Sequence, residues 1–397
     1  MAHSIESTSI ATEINEIERR KEHHLIEIKE TNNIIGNLLK NLRNSSIELC
    51  IIFKVNVGLR ESNSSAYTPK MISIGPYHRK NPRLDPMKEH KLLYLRRLLQ
   101  RKEGLGLNDC ISELHKLKEE ALKCYKDIKQ LHGTYDDFLS MLLLDGCFVV
   151  QFIRETYCER GPVGEARIIS DDRASYIFRD LMLLENQLPF FVVNKLHSMT
   201  KEVNESSLVI LVNYLCTSYF GSMVKRTWAS ECNNVGNIKH LLHLLHIFSC
   251  TEINPKEKSN NYETTYKVMP NATELSEAGV SFAKVNGITS LFDINFNNGF
   301  MKIPCFQVDD GTETILRNLI AYEQQSYDVR PKYFTDYAAF IDHLIDSEKD
   351  VNLLRQKGII VNLTGDDKNV ASLINKIGNG VTRLTALSDP AYYPSSD

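Results

Sequence analysis

The stretch LMLLENQLPFFVV, residues 181–193, is among the most apolar in the chain, yet the polar residues Glu185, Asn186 and Gln187 interrupt it. It can be interpreted as a membrane segment, as a catalytic carboxylate in an apolar pocket, or as protein core with a polar break. A helix of this length reaches only about 20 Å, which is too short to cross a bilayer. Pro189 lacks an N–H donor and disturbs the preceding turn. The pattern therefore favours core with a polar break.

Composition and charge narrow the class of protein. The chain has 397 residues, 42% of them hydrophobic, which indicates a globular protein with a large core. The formal net charge of -3 provides no field that attracts nucleic acid, so we expect no nucleic-acid partner. The nine cysteines form no C-x-x-C pair, and the N-terminus has no secretory pattern. These features are typical of reduced thiols in a protein that faces the cytosol.

Hydrophobic periodicity predicts a mainly α (α+β) fold with a multi-helix, bundle-like core. A small antiparallel β-hairpin layer is predicted in the C-terminal half. There FDINF (292–296) alternates in polarity, Asn298-Gly299 provides a type I′ turn, and FMKIPCFQV (300–308) returns as the partner strand. The clearest predicted helices cover residues 136–154, 174–196 and 238–248.

The same patterns divide the chain into five parts. Apolar residues recur at near-heptad spacing from Ile10 to Leu42, which predicts an amphipathic helix that contacts either a partner helix or the protein's own core. In chain order the parts are this N-terminal helix with a partly disordered start (1–46), the helical part of the main domain (47–250), a polar loop (251–270), the α+β part of the same domain (271–377) and a disordered tail (378–397).

A basic segment is the strongest electrostatic feature of the sequence. Between His78 and Lys102, nine Lys or Arg side chains and two acidic ones give a local charge of +7. The functional hypothesis is a contact with an anionic membrane surface or an acidic partner. The alternative is a solvated helix face that pairs with acidic residues elsewhere in the chain. The nine residues are Arg79, Lys80, Arg83, Lys88, Lys91, Arg96, Arg97, Arg101 and Lys102.

Two acidic residues, Asp145 and Glu185, follow similar apolar runs, MLLLD and LMLLE. If their helices pack side by side, the carboxylates could form an acid/base pair, and His78 at a turn could act as a base. This is the hydrolase-like alternative. The structural alternative is that each carboxylate accepts main-chain N–H groups at a helix break. No nucleophile, phosphate-binding or dinucleotide motif accompanies these residues, so we predict no catalytic residue and no cofactor.

Three histidines, His240, His243 and His246, recur at every third residue of KHLLHLLH. In a helix they fan over about 120° of the surface, which is too wide for one metal ion. We therefore predict no metal site and interpret them as residues that flank the edge of a helix.

Several blocks of the sequence, in this order, resemble a plant protein family catalogued as domain of unknown function 247, or uncharacterised protein family 0481. They include AYTPKMISIGPYH, IFRDLMLLENQLPFFVVNKL and LFDINFNNGFMKIPCFQV, and together they extend from about Cys50 to Ile377. The family includes proposed grass pollen determinants of self-incompatibility, and it has no established catalytic residues.

The resemblance implies a non-enzymatic recognition or signalling protein of plants that acts through protein partners, including small secreted proteins. Relatives are predicted to be attached to the cell membrane by one helix near the C-terminus. The resemblance therefore implies the cell membrane as the expected location. After Ile377 this sequence contains no apolar helix, which makes a cytoplasmic or peripheral location the alternative.

Overall fold

The computed structural model describes residues 29–37, 50–126, 135–157, 167–224, 235–250, 269–287 and 290–381. The chain forms two compact units, Met1–Cys50 and Ile51–Asp397. In the first unit, residues 29–37 form a helix, α1. The rest of the predicted N-terminal helix, the polar loop up to residue 268 and the predicted tail from residue 382 lie outside the described residues.

The second unit is mainly helical with a small β component, which confirms the predicted fold class. Its helices are α2 (Val57–Ser62), α3 (Met87–Gln100), α4 (Leu107–Lys123), α5 (Tyr135–Tyr157), α6 (Asp171–Leu181), α7 (Phe190–Thr200), α8 (Leu208–Tyr219), α9 (Leu241–Cys250), α10 (Ala272–Glu277), α11 (Thr312–Gln325), α12 (Tyr333–Leu344), α13 (Glu348–Gln356) and α14 (Asp367–Ile377). Its strands are β1 (Ser281–Lys284), β2 (Asn295–Asn297), β3 (Phe300–Ile303), β4 (Phe306–Val308) and β5 (Ile360–Asn362).

Helix α5 lies at the centre of the helical part and packs against α3, α4, α7 and α8. Phe148 on α5 meets Tyr94 on α3 edge to face, with ring centroids 5.0 Å apart. Gly146 allows close approach to α7, because a Cβ at this position would lie 2.5 Å from a methyl carbon of Leu196. Within the described residues, no helix combines the length and the apolar character needed to cross a membrane.

The predicted helix at 174–196 is two helices, α6 and α7, so the prediction of one continuous helix was wrong. Helix α6 ends at Leu181, and α7 begins at Phe190, directly after Pro189. Proline has no N–H group and disfavours helical geometry in the residue before it, so Pro189 marks the start of α7. The polar residues of the opening stretch lie in this connection.

The β layer contains the predicted hairpin, formed by β2 and β3. Both turn residues, Asn298 and Gly299, have positive φ (49° and 77°), as a type I′ turn requires. The predicted partner strand is interrupted at Pro304, and its second half, β4, pairs in parallel with β5 in a separate sheet. Strand β1 also pairs in parallel with β3. The sequence did not predict these parallel pairs, because their partners are distant along the chain.

Candidate functional site

Residues 70–75 belong to no helix or strand. Their main-chain groups bind side chains instead of another strand. The carboxylate oxygen Oδ2 of Asp180 accepts the N–H groups of Lys70, Met71 and Ile72 at 2.9, 2.6 and 3.1 Å. Asp180 is fully buried. Its single oxygen Oδ2 accepts the three N–H groups that the carbonyl oxygens of a neighbouring strand would otherwise accept.

Asn186 binds the same segment. Its carbonyl oxygen accepts the N–H of Ile74 at 2.7 Å, and its amide donates to the carbonyl oxygens of Ile72 at 3.0 Å and Asp180 at 2.9 Å. All of these groups are buried, and an unpaired polar group there would be destabilising. The Asn186 side chain thus connects the 70–75 segment to the end of α6.

Gln187 forms hydrogen bonds with main-chain groups in the connection between α6 and α7. Its amide donates to the carbonyl oxygens of Leu181 and Leu183 at 2.6 and 2.8 Å, which have lost their helical partners. Its own carbonyl oxygen accepts the N–H of Leu242, near the start of α9, at 3.3 Å. The polar triplet is therefore hydrogen-bonded core, in agreement with the favoured interpretation of the sequence.

Asp145 lies in the middle of α5 and binds the other end of the segment. Its Oδ2 accepts the N–H of Gly75 at 2.9 Å, and its Oδ1 lies 2.5 Å from the ammonium group of Lys91 on α3. The same ammonium group donates to the carbonyl oxygen of Ser73 at 2.6 Å. Asp145 and Lys91 together hold α3, α5 and the 70–75 segment at one point.

Glu185 is almost fully buried, and its carboxylate has three partners. One oxygen accepts the main-chain N–H of Val55 at 2.6 Å and a bond from the guanidinium of Arg60. The other lies 3.3 Å from Nε2 of His78. Burial acts to raise the pKa of Glu185, but the bonds from His78, Arg60 and Val55 outweigh it and hold the pKa below its ordinary value. Glu185 is consequently an anion at neutral pH.

The structure thus brings two of the three candidate catalytic residues together, His78 and Glu185. Asp145 has a different set of partners, and among the described residues it forms no hydrogen bond with Glu185. An acid/base pair would require the two carboxylates to contact each other, whereas each of them binds donors of its own. The arrangement suits acceptance of main-chain hydrogen bonds better than proton transfer.

Two residues of this network, Asp180 and Asn318, were missed at the sequence level. Asn318, on α11, accepts the N–H of Leu184 at 2.9 Å and donates to the carbonyl oxygen of Ala66 at 2.8 Å. Asp180 could have been found from the sequence, because it is a charged residue directly before the apolar run 181–184. Asn318 carries no such signal, because Leu184 and Ala66 lie 134 and 252 positions away from it.

The three histidines have structural roles in the described part of the chain. His240 and His243 form reciprocal caps at the start of α9. Nδ1 of His240 accepts the N–H of His243, and Nδ1 of His243 accepts the N–H of Lys239, each at 3.1 Å. Burial, followed by the nearby Lys239 charge, lowers the pKa of His243 to about 3. Both rings are therefore neutral acceptors, since burial also holds the pKa of His240 well below its usual range.

His246 faces a different partner, the buried carboxylate of Glu323, at 2.9 Å. All three histidine rings surround the ring of Tyr322, at centroid distances of 5.3 to 5.6 Å. The expectation that they flank a helix edge was wrong for His240 and His246, which are buried, because α11 packs against α9. No group of His, Cys, Asp or Glu among the described residues is arranged to hold a metal ion.

Ion pairs within the fold offset much of the charge of the basic segment. Arg97 pairs with Glu155 at 3.2 Å, and Arg101 pairs with Glu202 at 2.8 Å. Arg79 pairs with Asp137, and Lys91 pairs with Asp145. The basic side chains that remain exposed are Lys80, Arg83, Lys88, Arg96 and Lys102.

Sequence comparison places these residues in a family. The family described as "Plant protein of unknown function" (DUF247) matches residues 52–393. The chain belongs to this family. Two UPF0481 proteins of Arabidopsis thaliana are similar to it: one is 25% identical over 92% of this chain and 85% of its own length, the other 27% over 86% and 75%. No solved structure matches the chain. The DUF247 match includes the 70–75 segment and all the side chains that bind it.

Proposed function

We propose that this plant protein is a non-enzymatic recognition or signalling protein. Its buried carboxylates stabilise a rigid frame, and its surface binds partners. The observation that best supports this function is the use of the two candidate acids as main-chain acceptors. Asp145 binds the N–H of Gly75, and Glu185 binds the N–H of Val55. Oxygens that already accept buried donors stabilise the fold and are unavailable to a substrate.

The family resemblance extends this proposal to self-incompatibility-type recognition, in which the partner is another protein, including a small secreted one. The proposed location is the cell membrane, with a peripheral or cytoplasmic location as the alternative. Fractionation of plant tissue, followed by extraction of the membranes at high salt, separates these cases. Release by salt indicates peripheral attachment, and retention until detergent is added indicates an anchored protein.

A hydrolase-like enzyme is the second candidate, and one observation favours it. Nε2 of His78 lies 3.3 Å from Glu185, and both His78 and Arg60 are partly exposed. A carboxylate beside a histidine can orient it as a general base. In this pair, however, the contact is made through Nε2, and Arg60 and Val55 also bind the carboxylate, which suits a fixed structural contact.

A panel of ester, amide, glycoside and phosphate substrates distinguishes the two candidates. We expect no turnover by the full chain above that of a matched His78→Gln variant, whose amide still donates to Glu185. Turnover by the natural sequence that falls at least about 100-fold in a folded His78→Gln variant would overturn the non-enzymatic proposal. Circular dichroism and thermal melting establish that both proteins are folded.

A further inference from the structure

The outer face of α3 carries two large apolar side chains in solvent. Leu92 is 56% exposed and Leu93 is 48% exposed, whereas Met87, Tyr94 and Leu98 form the buried face of the helix. Tyr94 thus lies on the inner face of α3, and Leu92 and Leu93 lie on the outer one.

Arg96 lies between the two leucines on the same outer face, since residues three and four apart are neighbours on a helix. Arg96 is exposed, as are Lys80 and Arg83 in the turns before α3. Among the described residues, none forms an ion pair with these three. Lys88 is exposed too and pairs with Asp85 at 2.8 Å. Glu89 is a further exposed acid on this face. We call this set of exposed side chains the α3 face; its members are Lys80, Arg83, Lys88, Leu92, Leu93 and Arg96.

We propose that the α3 face docks on an anionic phospholipid surface. This inference rests on the proposed function, for which it supplies a partner. Leu92 and Leu93 enter the boundary between headgroups and acyl chains, and Arg83, Lys88 and Arg96 contact lipid phosphates through their long side chains. Exposed basic side chains and an anionic leaflet are complementary in charge.

A lipid surface fits the α3 face better than a protein does. Protein interfaces derive most of their affinity from Trp, Tyr and Arg in fully desolvated pockets, and leucine is under-represented among these residues. The exposed apolar side chains of the α3 face are both leucines. Interfacial helices, in contrast, insert Leu at the boundary of the acyl chains while their Lys and Arg side chains contact anionic headgroups.

Co-sedimentation with vesicles tests the proposal. The full chain should bind vesicles of phosphatidylcholine with phosphatidylserine, bind pure phosphatidylcholine weakly, and dissociate as salt is raised. Arg96→Gln should weaken binding about fivefold, as expected for one basic side chain near an anionic surface. The double variant Leu92→Ser with Leu93→Ser should weaken it by at least about tenfold.

Matched controls lie on another part of the surface. Leu363 is 58% exposed and Lys357 is exposed, so Leu363→Ser and Lys357→Gln change one side chain of each type without touching the α3 face. Both should bind as tightly as the natural sequence. Arg97→Gln is unsuitable as a test of binding, because Arg97 pairs with the buried Glu155.

Three outcomes would overturn the docking proposal. The first is equal binding of the chain to vesicles with and without phosphatidylserine. The second is equal binding of vesicles by the natural sequence and by the α3 face variants. The third is binding of a polyglutamate peptide without binding of vesicles. The last would assign the face to an acidic protein. None of these outcomes changes the result of the hydrolase panel, so failure of the docking proposal and failure of the proposed function are distinguishable.

Discussion

Asn186 binds Ile74 as a neighbouring strand would, because its carbonyl oxygen accepts the Ile74 N–H at 2.7 Å across 112 positions of sequence. Its amide group also donates to the carbonyl oxygen of Ile72. One side chain thus performs the two hydrogen bonds by which a strand pairs with its neighbour. With Asp180 and Asp145, it holds a segment that has no strand partner.

We predict that Asn186→Leu lowers the free energy of unfolding by about 2–4 kcal/mol, since it leaves the Ile74 N–H and two carbonyl oxygens buried without partners. Urea titration at neutral pH measures the loss. The matched control is Asn369→Leu on the exposed face of α14, which should change stability by less than about 0.5 kcal/mol. Equal losses in the two variants would contradict a special role for Asn186.

The Asp145–Lys91 pair should behave as a buried ion pair. Asp145→Asn leaves the Lys91 ammonium without its counter-ion, and we predict a loss of about 3 kcal/mol. Adding Lys91→Met should recover at least about 1 kcal/mol in a double-mutant cycle. The exposed pair Lys88–Asp85 is the control, and Lys88→Met with Asp85→Asn should show a coupling below about 1 kcal/mol. A coupling no larger at Asp145 than in the control would mean that the pair is effectively solvated.

Gly75 is required by both its backbone and its surroundings. Its φ is +73°, and a Cβ would lie 2.5 Å from the carbonyl oxygen of Gln187. We predict that Gly75→Ala destabilises the protein by more than about 4 kcal/mol. Gly279 also has a positive φ, +96°, but a Cβ there would meet no atom within 4 Å, so Gly279→Ala should cost only about 1–2 kcal/mol. Thermal melting of both variants checks the difference, and similar melting temperatures would refute the steric argument.

His243 should make stability depend on pH. Its pKa falls from 6.5 to about 3 on folding, so the unfolded chain binds the proton more readily. The stability from the neutral ring is complete above pH 6.5 and is lost as pH decreases toward 3. Between pH 8 and pH 5 we predict a loss of about 2 kcal/mol from His243.

His243→Asn tests this dependence, because the asparagine carbonyl oxygen can accept the Lys239 N–H in place of Nδ1. Urea titrations at pH 8 and pH 5 should show a smaller difference for the variant, by about 2 kcal/mol. Other titrating groups, including Glu205, whose pKa is lowered to about 2, contribute equally to both proteins. An unchanged difference between the two pH values would exclude His243 as the source.

Local signals in the sequence were sufficient for several elements. The Asn271/Glu274 capping box begins α10, and the predicted Asn298-Gly299 turn connects β2 to β3. Each depends on residues within four positions of one another, and their physical chemistry is visible in the sequence. The interruption at Pro304 differs, because only the fold provides β5 as a partner for β4.

The sequence by itself determined that this chain is a mainly helical member of its family and that polar residues interrupt an apolar run at Glu185. Only the tertiary structure decided what those residues bind. The Glu185 carboxylate accepts the N–H of Val55, 130 positions away, and Asp145 accepts that of Gly75, 70 positions away. Apolar patterns are periodic and local, so they specify helices. A buried hydrogen bond instead joins whichever donor and acceptor the packed helices bring within 3 Å of each other.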